Sequence, residues 1–237
     1  PDDPMALLDF AVGRLTGLPL EHGNKVEGMR NGDQAYPRML EEIGRAKKSI
    51  GLESYIFRAD AAGEPFHEAL IAAHRRGVQV RVMIDGVGGG YFKSGTHQSL
   101  SEAGVPVARF LHSYLPWRMP FVNLRNHRKV LVIDGRVGFT GGINIGAENL
   151  AAADPVHAVR DTHFRFEGPV VEQLTSAFAD DWLFATGEHL PDDDWFPEID
   201  KAGVVAARVV TSGPDEDNER IEFVALHAIS CARKSVR

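Results

Sequence analysis

The chain has 237 residues, 43% of them apolar, enough to fill the core of one large or two small domains. It has no run of 18 apolar residues, and Asp2, Asp3, Asp9 and Arg14 stand where a signal peptide would have a basic start and an apolar centre. The net charge of -7 argues against a general nucleic-acid binder, and the single cysteine, Cys231, excludes an internal disulfide framework and is compatible with a reducing compartment.

In chain order the hydrophobic pattern predicts strands alternating with helices. Residues 49–57 (SIGLESYIF) read as a strand, and 65–77 as an amphipathic helix closed by basic residues and a glycine. A buried strand follows at 78–85, then a short helix at 95–104 closed by Gly104 before PVARF. Residues 129–134 and 136–142, separated by Gly135, form a tight strand pair. The alternation at 161–168 is that of a strand, and 169–187 is a long helix with Pro near its start and Gly at its end. Strands joined by crossover helices imply parallel pairing and a layered α/β fold. The polar, acidic stretch 188–204 is expected to be a linker, residues 1–24 a lead-in, and 25–187 the first domain.

Charge is unevenly spread. No acid lies between Glu102 and Asp134, where Arg109, Arg118, Arg125, Arg128 and Lys129 accumulate, whereas residues 166–200 hold ten acids and neither Lys nor Arg. A basic stretch of that kind suits an anionic substrate; scattered surface charge is the plainer alternative. An internal repeat is also visible. Met39–Ile50 aligns without gaps with Ala225–Val236 at an offset of 186 residues, with Leu, Ile, Ala, Lys and Ser identical. Residues 205–237 are therefore expected to open a second copy of the domain, cut off at Arg237, although a generic amphipathic helix could give such a match.

The chemistry lies in the run from Asn126 to Asn144. His127 and Lys129 are two apart, so on a strand they share a face, and a nucleophilic imidazole sits beside a fixed positive charge. Asn144 returns on the next strand behind Gly141 and Gly142 and can donate to the same anion. A phosphate diester calls for such parts, together with an acid for the leaving alcohol. No His-Glu-x-x-His or Cys-x2-Cys spacing occurs, and His112, His157 and His163 fall in different elements, so neither a metal nor another cofactor is expected. Gly88 to Gly90 lack the lysine and hydroxyl of a phosphate loop.

The spacing His-x-Lys-x4-Asp-x6-Gly-Gly-x-Asn resembles the HKD motif of the phospholipase D superfamily. Within it, Arg125 to Lys129, Gly141 to Gly146, Arg160 to His163 with Glu167-Gly168, and Leu52 to Phe57 are similar to the bacterial cardiolipin synthases. The resemblance implies a layered α/β/α fold with a mostly parallel mixed sheet. It also implies two HKD motifs in one active site, one histidine forming a phosphohistidine and the other protonating the leaving group. This chain holds one motif. The second is expected either beyond Arg237, near position 127 + 186 = 313, or from a homodimer.

By the same resemblance His127, Lys129, Asp134 and Asp161 make up the catalytic set, with Lys129 and Asn144 binding phosphate. Asp134 is the member expected to fix the strand turn, and Asp161 the one to orient the histidine. Glu148 rivals Asp161, which could instead pair with Arg160 or Arg165. Glu53 and Tyr55 are pocket candidates, and Trp117 and Arg118 are candidates for membrane contact. The activity implied is phosphatidyl transfer to phosphatidylglycerol at the bacterial cytoplasmic membrane, by a peripheral or anchored protein, with no nucleic-acid partner. A phospholipase D hydrolase, another phosphodiesterase or nuclease, and a catalytically dead pairing module are the rivals.

Overall fold

In a computed structural model, residues 3–85, 95–110, 127–212 and 220–236 are described. The chain runs α1 (Pro4–Thr16), β1 (Glu21–Arg30), α2 (Asn31–Arg45), β2 (Ser49–Ser54), α3 (Glu64–Arg75), β3 (Gln79–Asp85), α4 (Gly95–Glu102) and β4 (Val107–Phe110). It continues through β5 (Val130–Ile133), β6 (Val137–Gly141), β7 (Thr162–Glu167), α5 (Val170–Thr186), α6 (Asp192–Trp195), β8 (Val205–Ala207) and α7 (Arg220–Cys231). The strand expected at 49–57 is thus shorter, with Phe57 returning only as an isolated bridge to Ile145. The segments holding Trp117, Arg118 and the Gly88 to Gly90 run lie outside the described residues.

One open mixed sheet has the order β4-β3-β2-β5-β6-β7-β1-β8. The expectation of a mostly parallel sheet is corrected here: parallel pairing is confined to β2–β3 and β3–β4, and the other neighbours are antiparallel. The connections explain the difference. Only β2-α3-β3-α4-β4 is wound through crossover helices, whereas a tight turn folds β6 straight back on β5. In that turn Asp134 and Gly135 have φ of 51° and 61°, the left-handed pair required by a type I′ hairpin.

The sheet is covered on both faces. Ile43 of α2 and Leu70 of α3 pack on Ile50, Leu52 and Leu131, while Leu174, Phe178 and Trp182 of α5 pack on Val130 and Val132. Successive residues of β5 therefore serve opposite cores, which is why its sequence is an unbroken apolar run.

The stretch expected to be a linker is packed. Trp195 is fully buried and stacks on Phe178 with ring centroids 5.8 Å apart, and the carbonyl of Asp194 accepts from Ser49 at 2.7 Å. Two of its acids also reach inward, Glu188 to Arg81 and Trp182 and Asp194 to Gln79 and Lys48, so composition alone hides the docking. Beyond it β8 adds to the sheet beside β1, and α7 lies against α1.

Candidate active site

The candidate site lies where β5 begins and β6 ends, because the hairpin turn at Asp134 sends both strands to the same end of the sheet. His127, just ahead of β5, is exposed, and its ring stacks on Tyr55 with centroids 4.1 Å apart and planes 15° apart. Lys129 lies over the same Tyr55 ring at 5.5 Å and donates from Nζ to the His127 carbonyl at 2.7 Å. One aromatic slab thus fixes both the imidazole and the cation. Burial pulls the Lys129 pKa below its ordinary value, and nearby Asp161 and Glu53 oppose that shift. Arg128, whose side chain lies between these two in sequence, pairs with Asp181 of α5 and ties the strand entry to the helix beneath.

Asn144 follows β6 through two glycines. Its Oδ1 accepts from the Ile56 N–H at 3.2 Å, which leaves its NH2 as the end that can donate to an anion. Gly141 has φ of 155° and passes over His163, and a Cβ on Gly142 would strike the Asp161 carboxylate. The glycine pair is thus required by what crowds it as well as by its own geometry.

Two residues without a role in the sequence argument hold this loop. The Tyr36 hydroxyl, from α2, has its one proton between the carbonyls of Asn144 at 2.7 Å and Gly146 at 3.0 Å and accepts from the Gly146 N–H at 3.1 Å. Burial pushes its pKa up to about 12, so it remains a phenol. Asn31 pins Asp161: its N–H donates to the Asp161 carbonyl at 2.9 Å, and its Oδ1 accepts the Asp161 N–H at 3.1 Å. A lone tyrosine on a helix face reads as core, so no sequence signal marked Tyr36.

The remaining candidates divide by position. Asp161 stands at the site end of β7 over Gly142, while Arg160 donates to the Pro155 carbonyl and Arg165 pairs with Glu42 and Glu167. Glu148, the rival orienter, forms an ion pair with Arg58 at 2.7 Å. Glu53 is buried, 3% exposed, at the end of β2. Asp134 is at the opposite end of β5 from His127, and its carboxylate accepts the backbone N–H groups of Lys47, Lys48 and Ser49. It stands in the turn between β5 and β6, the position expected of it. Among the described residues no three His, Cys, Asp or Glu side chains come together as a metal site would need.

The arrangement joins an exposed imidazole, a partly desolvated cation and an amide donor, the parts that stabilise a five-coordinate phosphorus. Residues 39–182 match the family model described as cardiolipin synthase, PLD-like domain. The chain is 36% identical to the major cardiolipin synthase of Bacillus subtilis over 90% of its own length and 45% of the relative's. It spans about half the length of the curated relatives it matches. Among solved structures, a phosphatidylserine synthase of Haemophilus influenzae matches 99% of this chain and 50% of that one, with TM-score 0.56 and 15% identity. The phospholipase D family member Nuc of Salmonella typhimurium matches 67% of this chain and 94% of that one, with TM-score 0.52 and 24% identity. At these identities the two structures show a shared fold.

Proposed function

The chain belongs to the phospholipase D-like domain family of the cardiolipin synthases, and from that premise we propose that it supplies one catalytic half of a phosphatidyltransferase. The substrates are phospholipids, the acceptor is phosphatidylglycerol, and the phosphatidyl group passes through a phosphohistidine. The observation that carries this is His127 held on Tyr55 beside Lys129, with the Asn144 amide at the same end of the sheet.

In the first step one histidine nitrogen attacks phosphorus, the bond to the leaving alcohol breaks, and a second histidine donates the proton that alcohol takes. In the second step the acceptor hydroxyl attacks phosphorus, its proton passes to the second histidine, and the phosphorus–nitrogen bond breaks. Lys129 and Asn144 hold the phosphoryl oxygens, and Asp161 is the acid that keeps the imidazole in one tautomer. His127 fills one of the two histidine roles.

The other histidine belongs to a second HKD half, supplied by the same gene product or by a second copy. Three observations support this. The curated relatives are about twice as long as the chain. At the repeat offset of 186, the end of α2 at Arg45 falls on position 231, where α7 ends. Buried Met39 and Ile43 of α2 correspond to Ala225 and Ile229 of α7, which are exposed. No helix among the described residues is long and apolar enough to cross a membrane. We infer that the protein works at the bacterial cytoplasmic membrane, peripheral or anchored; the proposed lipid substrate and the residue types of Trp117 and Arg118, which favour headgroups, support this.

The test is His127→Ala in the enzyme with both halves. Turnover should fall by about three orders of magnitude or more with the fold retained. Nearly full activity in that variant would overturn the assignment.

A further inference from the structure

His67 of α3 is 1% exposed and belongs neither to the motif nor to the site as built above. Thr96, at the start of α4, is equally buried, and its hydroxyl donates to the Phe57 carbonyl at 2.8 Å. A hydroxyl has one proton and a carbonyl only accepts, so that proton is committed to Phe57. The Thr96 oxygen, 3.1 Å from His67 Nε2, is therefore the acceptor of the second pair, and the ring carries its proton on Nε2. His67 Nδ1 is buried with no hydrogen-bond partner among the described residues and lies 3.5 Å from the Glu64 carboxylate, as a bare lone pair would. Burial lowers the His67 pKa against the pull of Glu64 and Asp60, which keeps the ring neutral.

This relay, from His67 through Thr96, ends on the segment that sets the Asn144 amide. Residues 55–63 lie between β2 and α3, outside either element, so cross-chain contacts decide where they sit. The Arg58 N–H donates to the Ile145 carbonyl at 2.9 Å, and the Ile145 N–H donates to the Ile56 carbonyl at 3.0 Å. The Ile56 N–H in turn donates to Asn144 Oδ1 at 3.2 Å, the bond that decides which end of the amide faces an anion. Thr96 grips the carbonyl that falls between these bonds in the chain. The His67 ring, 4.8 Å from the Phe57 ring, supports both partners of that grip.

We propose that Thr96 and His67 are positioning residues for the phosphoryl transfer, holding the backbone of residues 56–58 so that the Asn144 amide stays aimed at the phosphoryl oxygens; this rests on the transferase reading above. A misplacement of about 1 Å caused far from the chemistry can cost about a hundredfold in rate. The oxygens that Asn144 holds gain charge in the transition state, so loss of aim lowers kcat more than it raises KM.

A double-mutant cycle on phosphatidyl transfer, in the enzyme with both halves, tests this. Thr96→Val keeps the shape and removes the hydroxyl, and His67→Phe removes the ring donor. Each should lower kcat by about tenfold or more with KM little changed. Thr96→Ser and His67→Gln, which keep a hydroxyl and a donor, should retain most of the activity. The decisive readout is the same loss made in Asn144→Ala, where it should cost less than about twofold, because the aim of an absent amide cannot be spoiled. A purely structural defect would act alike in both backgrounds. Additive effects across the cycle therefore overturn the proposal, as does full activity in the folded variants. If Thr96→Val does not fold, His67→Phe supplies the cycle, and failure of both to fold marks the relay as structural and overturns its positioning role. Absence of phosphatidyl transfer in the wild-type enzyme overturns the transferase reading and this role with it, whereas transfer with an additive cycle overturns the role alone.

Discussion

Tyr36 and His163 show how the phosphate end of the site depends on side chains that the motif does not contain. One phenolic oxygen ties the backbone of both Asn144 and Gly146, so the loop that presents the Asn144 amide is fixed from α2. Tyr36→Phe removes that oxygen and leaves the Gly146 N–H buried without its acceptor. A cost of about 1–3 kcal/mol in urea unfolding is expected, and an unchanged midpoint would show that the hydroxyl holds nothing. For His163 the sign follows from burial. Its pKa falls from about 6.5 unfolded to about 4 folded, so the unfolded chain binds the extra proton. That contribution to stability is fully present above about pH 6.5 and is lost as pH falls through about 4, up to about 3 kcal/mol. His163→Gln should flatten the melting temperature against pH across that window, and a profile identical to wild type would contradict the buried neutral ring. His127 and Lys129 stand out in the sequence by their spacing, but both lie ahead of β5, and it is the Tyr55 ring rather than a shared strand face that brings them to one side. Tyr36 and His163 do not stand out, because their roles come from contacts made across the sheet.

The β5–β6 hairpin joins sequence to chemistry most directly at the level of elements. Asp134 and Gly135 supply the backbone of the turn, and the Asp134 carboxylate collects three backbone N–H groups between α2 and β2. The same residue thus sets the register of β5 and docks the preceding connection. Asp134→Ala is expected to destabilise by about 2 kcal/mol, with Asp134→Asn, which keeps an acceptor oxygen, losing less; equal midpoints for all three proteins would contradict this. Most elements could be read from period and punctuation. The long α5, bounded by Pro169 and by Gly187 at φ 75°, is the clearest case. The acidic stretch before β8 was misjudged because one fully buried tryptophan outweighs its polar neighbours.

For the whole molecule, the layered α/β architecture was legible from alternation, while the balance of parallel and antiparallel pairs was not, since chain order does not reveal that β7 inserts between β6 and β1. The apolar residues Ile221, Phe223, Leu226 and Ile229 that α7 leaves exposed match the proposal that α7 opens a second half. The central claim is that the completed site moves a phosphatidyl group to an alcohol. Mass-spectrometric product analysis of the enzyme with both halves, incubated with mixed phospholipids including phosphatidylglycerol, tests it most directly. The account predicts cardiolipin that grows with the phosphatidylglycerol supplied and is absent in His127→Ala; phosphatidic acid as the sole lipid product, or no lipid product at all, would contradict it.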